Sequence, residues 1–362
     1  MKEFKIAVLP GDGIGPDVMN EALKVLKTLP KIDSTFTYET TEFHWNTDHY
    51  VEHGSMMPEN GLEQLKAFDS ILFGAVGDAR VSEHIPIWEL IMPIRKDFQQ
   101  YINFRPIKLL KGMETPLKKG ENIDFVIIRE NAEGEYSAAG GKMYQGESRE
   151  LAVQNTIMTR GGISRVAAFA FEYAREHQLQ KVTNATKSNA IIHTMTLWDE
   201  VVEETAGKFD DITYEKFYVD AIAALFVERP EDFQLVLASN LFGDILSDLG
   251  SGIAGGLGIA PSANINPAGE FPSMFEPVHG SAPDIAGKGI ANPVAQIWSL
   301  ALMLQQFGRV DLHDLVLAAV EDVLLEKKTL TPDIGGEATT SQVGDAVVEK
   351  IQERSSDHGS QK

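Results

Sequence analysis

Residues 234–249 read QLVLASNLFGDILSDL, an apolar run of strand type that passes through a turn into a helix carrying Asp244 and Asp248. Strand, turn and helix in succession are the repeating unit of a parallel sheet, so this stretch sets the fold class. Four residues apart on a helix, the two aspartates stack on one face, one turn above the other. Two anions held that close repel. Unless both point into water the arrangement calls for a cation between them, and a hard divalent ion with oxygen ligands meets the need. A solvated helix face is the plain alternative. Leu241, Phe242, Ile245, Leu246 and Leu249 favour the first reading, because they predict a helix packed in an interior with its acidic pair lining a cleft.

The same unit recurs on either side. Residues 4–9 read as a buried strand, PGDGIGPDV follows, and a helix begins with apolar Val18, Ala22, Val25, Leu26 and Leu29. Gly11, Gly13 and Gly15 do not have GxGxxG spacing, and Pro16 sits where the third glycine would fall. The turn is a tight strand-to-helix connection first and a cofactor contact second. An extended segment at 38–43, a polar stretch with HGSMMP and a helix reaching Phe68 precede the strand of Ile71, Leu72 and Phe73, which ends in GAVG. Gly74, Ala75 and Val76 there are a candidate cofactor lip, although any tight turn favours such residues. The alternation predicts an α/β fold with a mostly parallel, doubly wound sheet covered on both faces, distinct from a Rossmann GxGxxG fold.

Further on, Arg95 falls near the end of a helix that Pro93 should kink or shorten, Arg105 lies on the next extended segment, and Arg129 ends a strand over 124–128. Guanidinium forks grip carboxylates in bidentate fashion, so a converging trio would clamp a dicarboxylate; three surface salt bridges are the alternative. NAEGEYSAAGGKMYQGE and the extended residues 150–159 read as a protruding arm suited to pairing with another subunit. Lys187 and Asp220 each stand at a strand-to-helix junction, where doubly wound sheets build sites and where caps are also common. The run MFEPVHGSAPDIAGKGIANP, dense in glycine and proline, is a shaped loop around His279, and the tail ERSSDHGSQK is expected to be disordered.

Composition bounds the function. A chain of 362 residues with 43% hydrophobic and 23% charged residues buries a substantial core and has room for two domains. A net charge of -21 argues against nucleic acid and anionic membranes as partners, and it requires any acidic substrate to meet a local arginine or lysine cluster. With no cysteine there are no disulfides, thiolate nucleophiles or cysteine-ligated zinc. No long apolar span or signal-type segment is present, which places the chain in the cytoplasm.

Taken together, PGDGIG, HGSMMP, FGAVG, RENAEGEYS, ATKSN, ASNLFGDILSD, GIAPSANINP and EPVHGSAPDIAGKGIANP resemble the β-decarboxylating dehydrogenases, the family of isopropylmalate and isocitrate dehydrogenases, over nearly the whole chain. The resemblance is closest to the tartrate and D-malate branch. It implies a large cofactor-binding domain from residues 1–102 and 253–362, with a small domain from 103–252 carrying a dimerisation arm near 136–159 and substrate in the cleft between the domains. It implies NAD- and metal-dependent oxidative decarboxylation of a 2-hydroxy dicarboxylate, D-malate or tartrate first and 3-isopropylmalate second. Arg95, Arg105 and Arg129 would hold substrate carboxylates. Asp244 and Asp248 would bind Mg2+ or Mn2+ with Asp220 of a neighbouring subunit; Lys187, also from the neighbour, would take the hydroxyl proton and Tyr136 would return one to carbon. Glu276, His279, Gly280, Ser281, Ala282, Asp284, Ile285 and Asn292 would line the cofactor site together with the lip at Gly74, Ala75 and Val76. An acidic Asp284 at the adenosine ribose favours NAD over NADP. A monovalent cation such as K+ is a further candidate. In the segment before Arg95, Trp88, Ile91 and Met92 would suit an alkyl substituent, whereas Glu89 facing the pocket would oppose one. Outside this class stand a dicarboxylate- or nucleotide-binding protein without turnover and an oligomeric scaffold.

Overall fold

The computed structural model describes residues 2–118, 120 and 122–359. They form two compact units, Met1–Phe98 with Leu109–Pro116 and Ala254–Lys362, and Gln99–Lys108 with Leu117–Ile253. With strands numbered along the chain, the first unit holds β1 (Glu3–Gly11), β2 (Thr37–Glu42), β3 (Ser70–Ala75), β11 (Pro261–Ile265) and β12 (Ser273–Pro277), in the order β2-β1-β3-β12-β11. β3 and the part of β1 from Ile6 onward read as apolar runs because both their faces are covered, and Ile6, Ala7, Val8 and Leu9 are buried. β2, at the edge, is polar TYETTE, which blunts an open edge. β1 pairs in parallel with β2 on one side and β3 on the other, and β3 pairs in parallel with β12. The winding direction therefore reverses at β1, and the loops leaving β1 and β3 border the crevice where such sheets bind ligands. Helix Gly15–Ile32 covers one face through Val18, Ala22, Val25, Leu26 and Leu29, all buried as their spacing predicts.

The second unit holds β4 (Ile102–Lys108), β5 (Asp124–Glu130), β8 (Lys181–Thr186), β9 (Thr213–Tyr218) and β10 (Leu235–Ala238), in the order β4-β5-β10-β8-β9. β4 runs antiparallel to β5 with Asn103 opposite Arg129, and the other neighbours pair in parallel. The arm is a separate antiparallel ribbon of β6 (Gly140–Met143) and β7 (Leu151–Gln154), exposed along its length.

Four expectations are corrected. The helix Asn240–Ile253 buries small and polar residues, Asn240, Gly243, Ser247, Gly250 and Ser251, beside Leu246 and Ile253, while Ile245 is 56% exposed. Close approach selects that face: a Cβ on Gly243 would lie 2.6 Å from Arg129 Cγ, and one on Gly250 would lie 3.0 Å from Ile107. Glu353 onward is not disordered as far as it is described, because the last helix, Thr340–Gly359, runs through it; 360–362 lie outside the described residues. Pro93, expected to kink or shorten its helix, leaves it running and is preceded by one widened turn. Helical residues continue from His84–Pro86 through a wider turn at Ile87–Ile91, where Met92 N–H reaches back to the Ile87 carbonyl, into Met92–Asp97. A proline supplies no donor for the ordinary ladder, and a π-type turn absorbs the fault. Finally, Leu109–Pro116 belongs to the first unit, held by buried Leu110, by Lys111 on Glu321 and by Gly112 against the Leu324–Leu325 backbone. Among the described residues no helix is long and apolar enough to cross a membrane.

Candidate active site

In the second unit, β4 and β5 deliver Arg105 and Arg129 to the helix Asn240–Ile253, and the charges meet there. Arg129 Nη1 donates to Asp244 Oδ1 at 2.5 Å, while its Nε and Nη2 both donate to Asn240 Oδ1 at 3.0 and 2.7 Å. Asn240 Nδ2 in turn donates to the Glu133 carbonyl. One buried amide thus fixes the plane of the guanidinium, and Gly243 makes room for its stem. Arg105 Nη1 donates to Ser247 Oγ at 2.6 Å and lies 3.4 Å from Asp248, with Nη2 3.4 Å from Asp244. Tyr136, on a short helical turn at the base of the arm, points its hydroxyl at Asp244 Oδ2 across a long 3.4 Å, and Arg129 lies over its ring.

The acidic pair is therefore neither a bare solvated face nor deeply buried: the Asp244 side chain is 34% exposed and that of Asp248 57%. Asp248 is crowded enough that desolvation lifts its carboxyl above the usual range; Arg105 opposes this and the Asp244 charge adds to it. Oxygen-only donors that repel one another suit a hard divalent cation. Among the described residues no third histidine or carboxylate joins them to make a metal-holding group. Asp220 instead accepts from Lys187 Nζ at 2.5 Å, a hydrogen bond that holds its carboxyl below the usual range. Lys187 also lies over the Tyr218 ring, and the Asp220 side chain is largely exposed.

In the first unit, Arg95 is paired with Glu276, Nη2 to Oε1 at 2.8 Å, and Asn264 Nδ2 donates to the same oxygen at 2.7 Å. Arg95 Nε is buried with no hydrogen-bond partner among the described residues. Three donors of the turn after β1 are engaged: Asp12 N–H goes to the Ala75 carbonyl, Ile14 N–H to the Ser281 carbonyl and Gly15 N–H to the Asp12 carbonyl. Gly11 and Gly13 take positive φ, and a Cβ on them would lie 1.8 Å from Ala75 O and 2.0 Å from Ser281 O. The glycines serve loop packing, as their spacing implied. Gly74, Ala75 and Val76 close β3 beside this turn. His279 Nδ1 lies 3.0 Å from the Gly280 carbonyl, which makes it the donor and leaves Nε2, buried and unpartnered, as an acceptor. Burial pushes the pKa of that imidazole down. Ala282 and Ile285 pack on Ile14, Val18 and Ala291, whereas Gly280 and Asp284 are exposed. Asn292 Oδ1 accepts from Val294 N–H at the start of the helix Val294–Gln306, and its Nδ2 donates to Asp333. Of the three predicted arginines, two thus join the acidic pair and Arg95 engages Glu276.

Sequence reasoning missed Asn240, Ser247, Asn264 and Asp333. Asn240 and Ser247 stood in the quoted stretch, four residues before and three residues after Asp244, and that spacing was their available signal.

Comparison with known proteins identifies the family. The model of the isocitrate/isopropylmalate dehydrogenase family matches residues 5–347. The chain is 48% identical over 352 residues to a probable tartrate dehydrogenase/decarboxylase of Bacillus subtilis, covering 97% of this chain and 99% of that one. It is 46% identical over 360 residues to the decarboxylating D-malate dehydrogenase of Escherichia coli, with 97% and 99% covered. Among solved structures, an isocitrate dehydrogenase from Methylococcus capsulatus superposes with a TM-score of 0.87 at 32% identity, covering 96% of this chain and 99% of the other. With a family model matching residues 5–347 and relatives close to half identical over nearly its whole length, the chain belongs to the isocitrate/isopropylmalate dehydrogenase family, a family of enzymes.

Proposed function

We propose that the protein oxidises and decarboxylates a 2-hydroxy dicarboxylic acid with NAD and a divalent metal, D-malate or tartrate being the substrate, and that it acts as a homodimer. The observation that carries this reading is the cluster of Arg105, Arg129, Asp244, Asp248 and Tyr136. Two cations balance two anions there, so a dianionic substrate and a divalent cation enter together without changing the net charge. A donor with no protein partner, Arg95 Nε, and an acceptor in the same condition, His279 Nε2, suit a substrate carboxylate and the adenine amino group.

When bound, Mg2+ or Mn2+ at Asp244 and Asp248 supplies Lewis-acid stabilisation of charge on the substrate oxygens, and NAD supplies the hydride acceptor. The chain does the rest. Arg105 and Arg129 orient the carboxylates with guanidinium planes already fixed by Ser247 and Asn240, which removes an ordering cost from binding. Lys187, as a neutral amine, would take the hydroxyl proton, and Asp220, its hydrogen-bond partner here, would with Asp244 and Asp248 of a second protomer be the residues that hold the metal. Tyr136 then delivers a proton to the enol carbon left after carbon dioxide departs. Asp284 and the hydroxyls of the NAD ribose are complementary, and the extra phosphate of NADP is repelled. The exposed apolar side chains of the arm, Met143, Leu151 and Val153, support a paired surface.

The test is absorbance at the NADH band with NAD, Mn2+ and, in turn, D-malate, L- and meso-tartrate, 3-isopropylmalate and isocitrate. D-malate or a tartrate should give the highest kcat/KM. No reduction of NAD with any 2-hydroxy dicarboxylate would make the protein a binder.

A further inference from the structure

We propose that Asp12 is a positioning residue for the cofactor: its carboxylate ties three loops at the carboxyl edge of the first unit's sheet into one rim, and affinity for NAD depends on that tie. The inference rests on reading this edge as the NAD site. Asp12 is 7% exposed and follows directly on β1. Its Oδ1 accepts from Thr47 N–H at 3.0 Å. Its Oδ2 accepts from the Thr47 hydroxyl at 2.8 Å and from Gly77 N–H at 3.0 Å. Thr47, fully buried, opens the helix that follows β2, and Gly77 lies in the loop that follows β3. The Asp12 backbone N–H meanwhile holds the Ala75 carbonyl at 2.7 Å, and Ile14 N–H holds the Ser281 carbonyl at 2.9 Å. One residue therefore joins the exits of β1, β2 and β3, with the loop beyond β12 attached two residues later.

A buried carboxylate normally has a cationic partner. Among the described residues no ion pair to Asp12 is present, and its carboxylate accepts from neutral donors, Thr47 N–H, the Thr47 hydroxyl and Gly77 N–H. Three charge-assisted bonds offset the desolvation, and they all fix loops rather than fill the core. An asparagine cannot replace it. One end of its amide must be a donor, and placed at Oδ2 that donor would face Gly77 N–H and compete with the Thr47 hydroxyl; placed at Oδ1 it would face Thr47 N–H. Whichever way the amide turns, at least one of the three bonds is lost and a buried N–H is left facing another donor.

The experiment uses the full chain, with NAD affinity read by calorimetry, melting temperature by scanning fluorimetry and steady-state kinetics alongside. Asp12→Asn is expected to weaken NAD binding about tenfold or more, the equivalent of losing one charge-assisted bond, while the substrate KM stays within about twofold. Thr47→Val, which deletes a hydroxyl at constant shape, should move NAD affinity in the same direction by less, and it stands in if Asp12→Asn does not fold. A fall in melting temperature with NAD affinity unchanged in both variants would reduce Asp12 to a structural tie and overturn the proposal. Failure of the unsubstituted protein to bind NAD is a different result, which overturns the cofactor reading itself.

Discussion

Gly243→Ala sets two physical effects of opposite sign against each other. Helix propensity favours alanine over glycine by about 1 kcal/mol in a helix interior, and Gly243 lies inside the helix Asn240–Ile253, so on local grounds the change stabilises. Packing says the reverse. The added methyl would sit 2.6 Å from Arg129 Cγ and 2.7 Å from its Cβ, near the root of a side chain whose far end is held by Asn240 and Asp244. The stem cannot swing aside without breaking those bonds, and forcing a methyl into such a contact costs about 1–3 kcal/mol. Subtracting the propensity gain leaves a net change between about 0 and 2 kcal/mol destabilising. The larger effect falls on catalysis, because a displacement of about 1 Å in a carboxylate clamp lowers the rate on the order of a hundredfold. Thermal unfolding, with kcat/KM for D-malate measured beside the KM for NAD, separates the contributions. The expected result is a kcat/KM loss of about ten- to a hundredfold with the NAD KM unmoved. A variant that melts higher and keeps its kcat/KM would show that Arg129 does not need the place its stem occupies.

Three other outcomes test separate parts of the reasoning. Burial raises the Glu130 carboxyl to about 7, against the pull of N–H donors from Glu133 and Ala132, so its folded pKa lies above the unfolded 4.5 and its stabilising contribution, full below 4.5, is lost as pH rises towards 7. Glu130→Gln should therefore gain on the unsubstituted protein by a few kcal/mol, about 3 at most, between pH 4.5 and 8, and a melting-temperature difference that does not change with pH would refute this. Asp284→Lys combined with Ile285→Tyr should shift the ratio of kcat/KM values towards NADP, with some loss of stability as Ile285 leaves its apolar cluster; an unchanged ratio would remove both from the adenosine pocket. Mixing protomers bearing Lys187→Met with protomers bearing Asp244→Asn should restore activity to a fraction of the dimers, and no restoration at any mixing ratio would place a complete site within one protomer.

How far the sequence could be read depended on the range of each interaction. Local periodicity located β1, β3 and the helix Gly15–Ile32, because the same residues that set the period are buried by the element they form, and it found the helix Asn240–Ile253 without its buried face. Spacing alone also put Asp244 beside Asp248. Asn240, Asp12 and Asn264 escaped notice because each makes its decisive bonds to residues distant in the chain or on another loop, and in a sequence each resembles an ordinary cap or turn residue. Ile245 is more instructive. An apolar residue on an amphipathic helix suggests a core, yet the sheet claims the face bearing Gly243, Ser247 and Gly250, since only small side chains let the helix approach β4 and β5 closely enough for the arginine stems to lie between them. Ile245 is then left outside, in the same unit as the exposed Met143, Leu151 and Val153 of the arm. Isolated apolar side chains on a surface need no explanation, but an arm that exposes them along both strands has no core of its own to bury them. In the homodimer proposed above they would be covered by a second copy, and the interior that the helix pattern predicts around Ile245 would be an interior of the assembly.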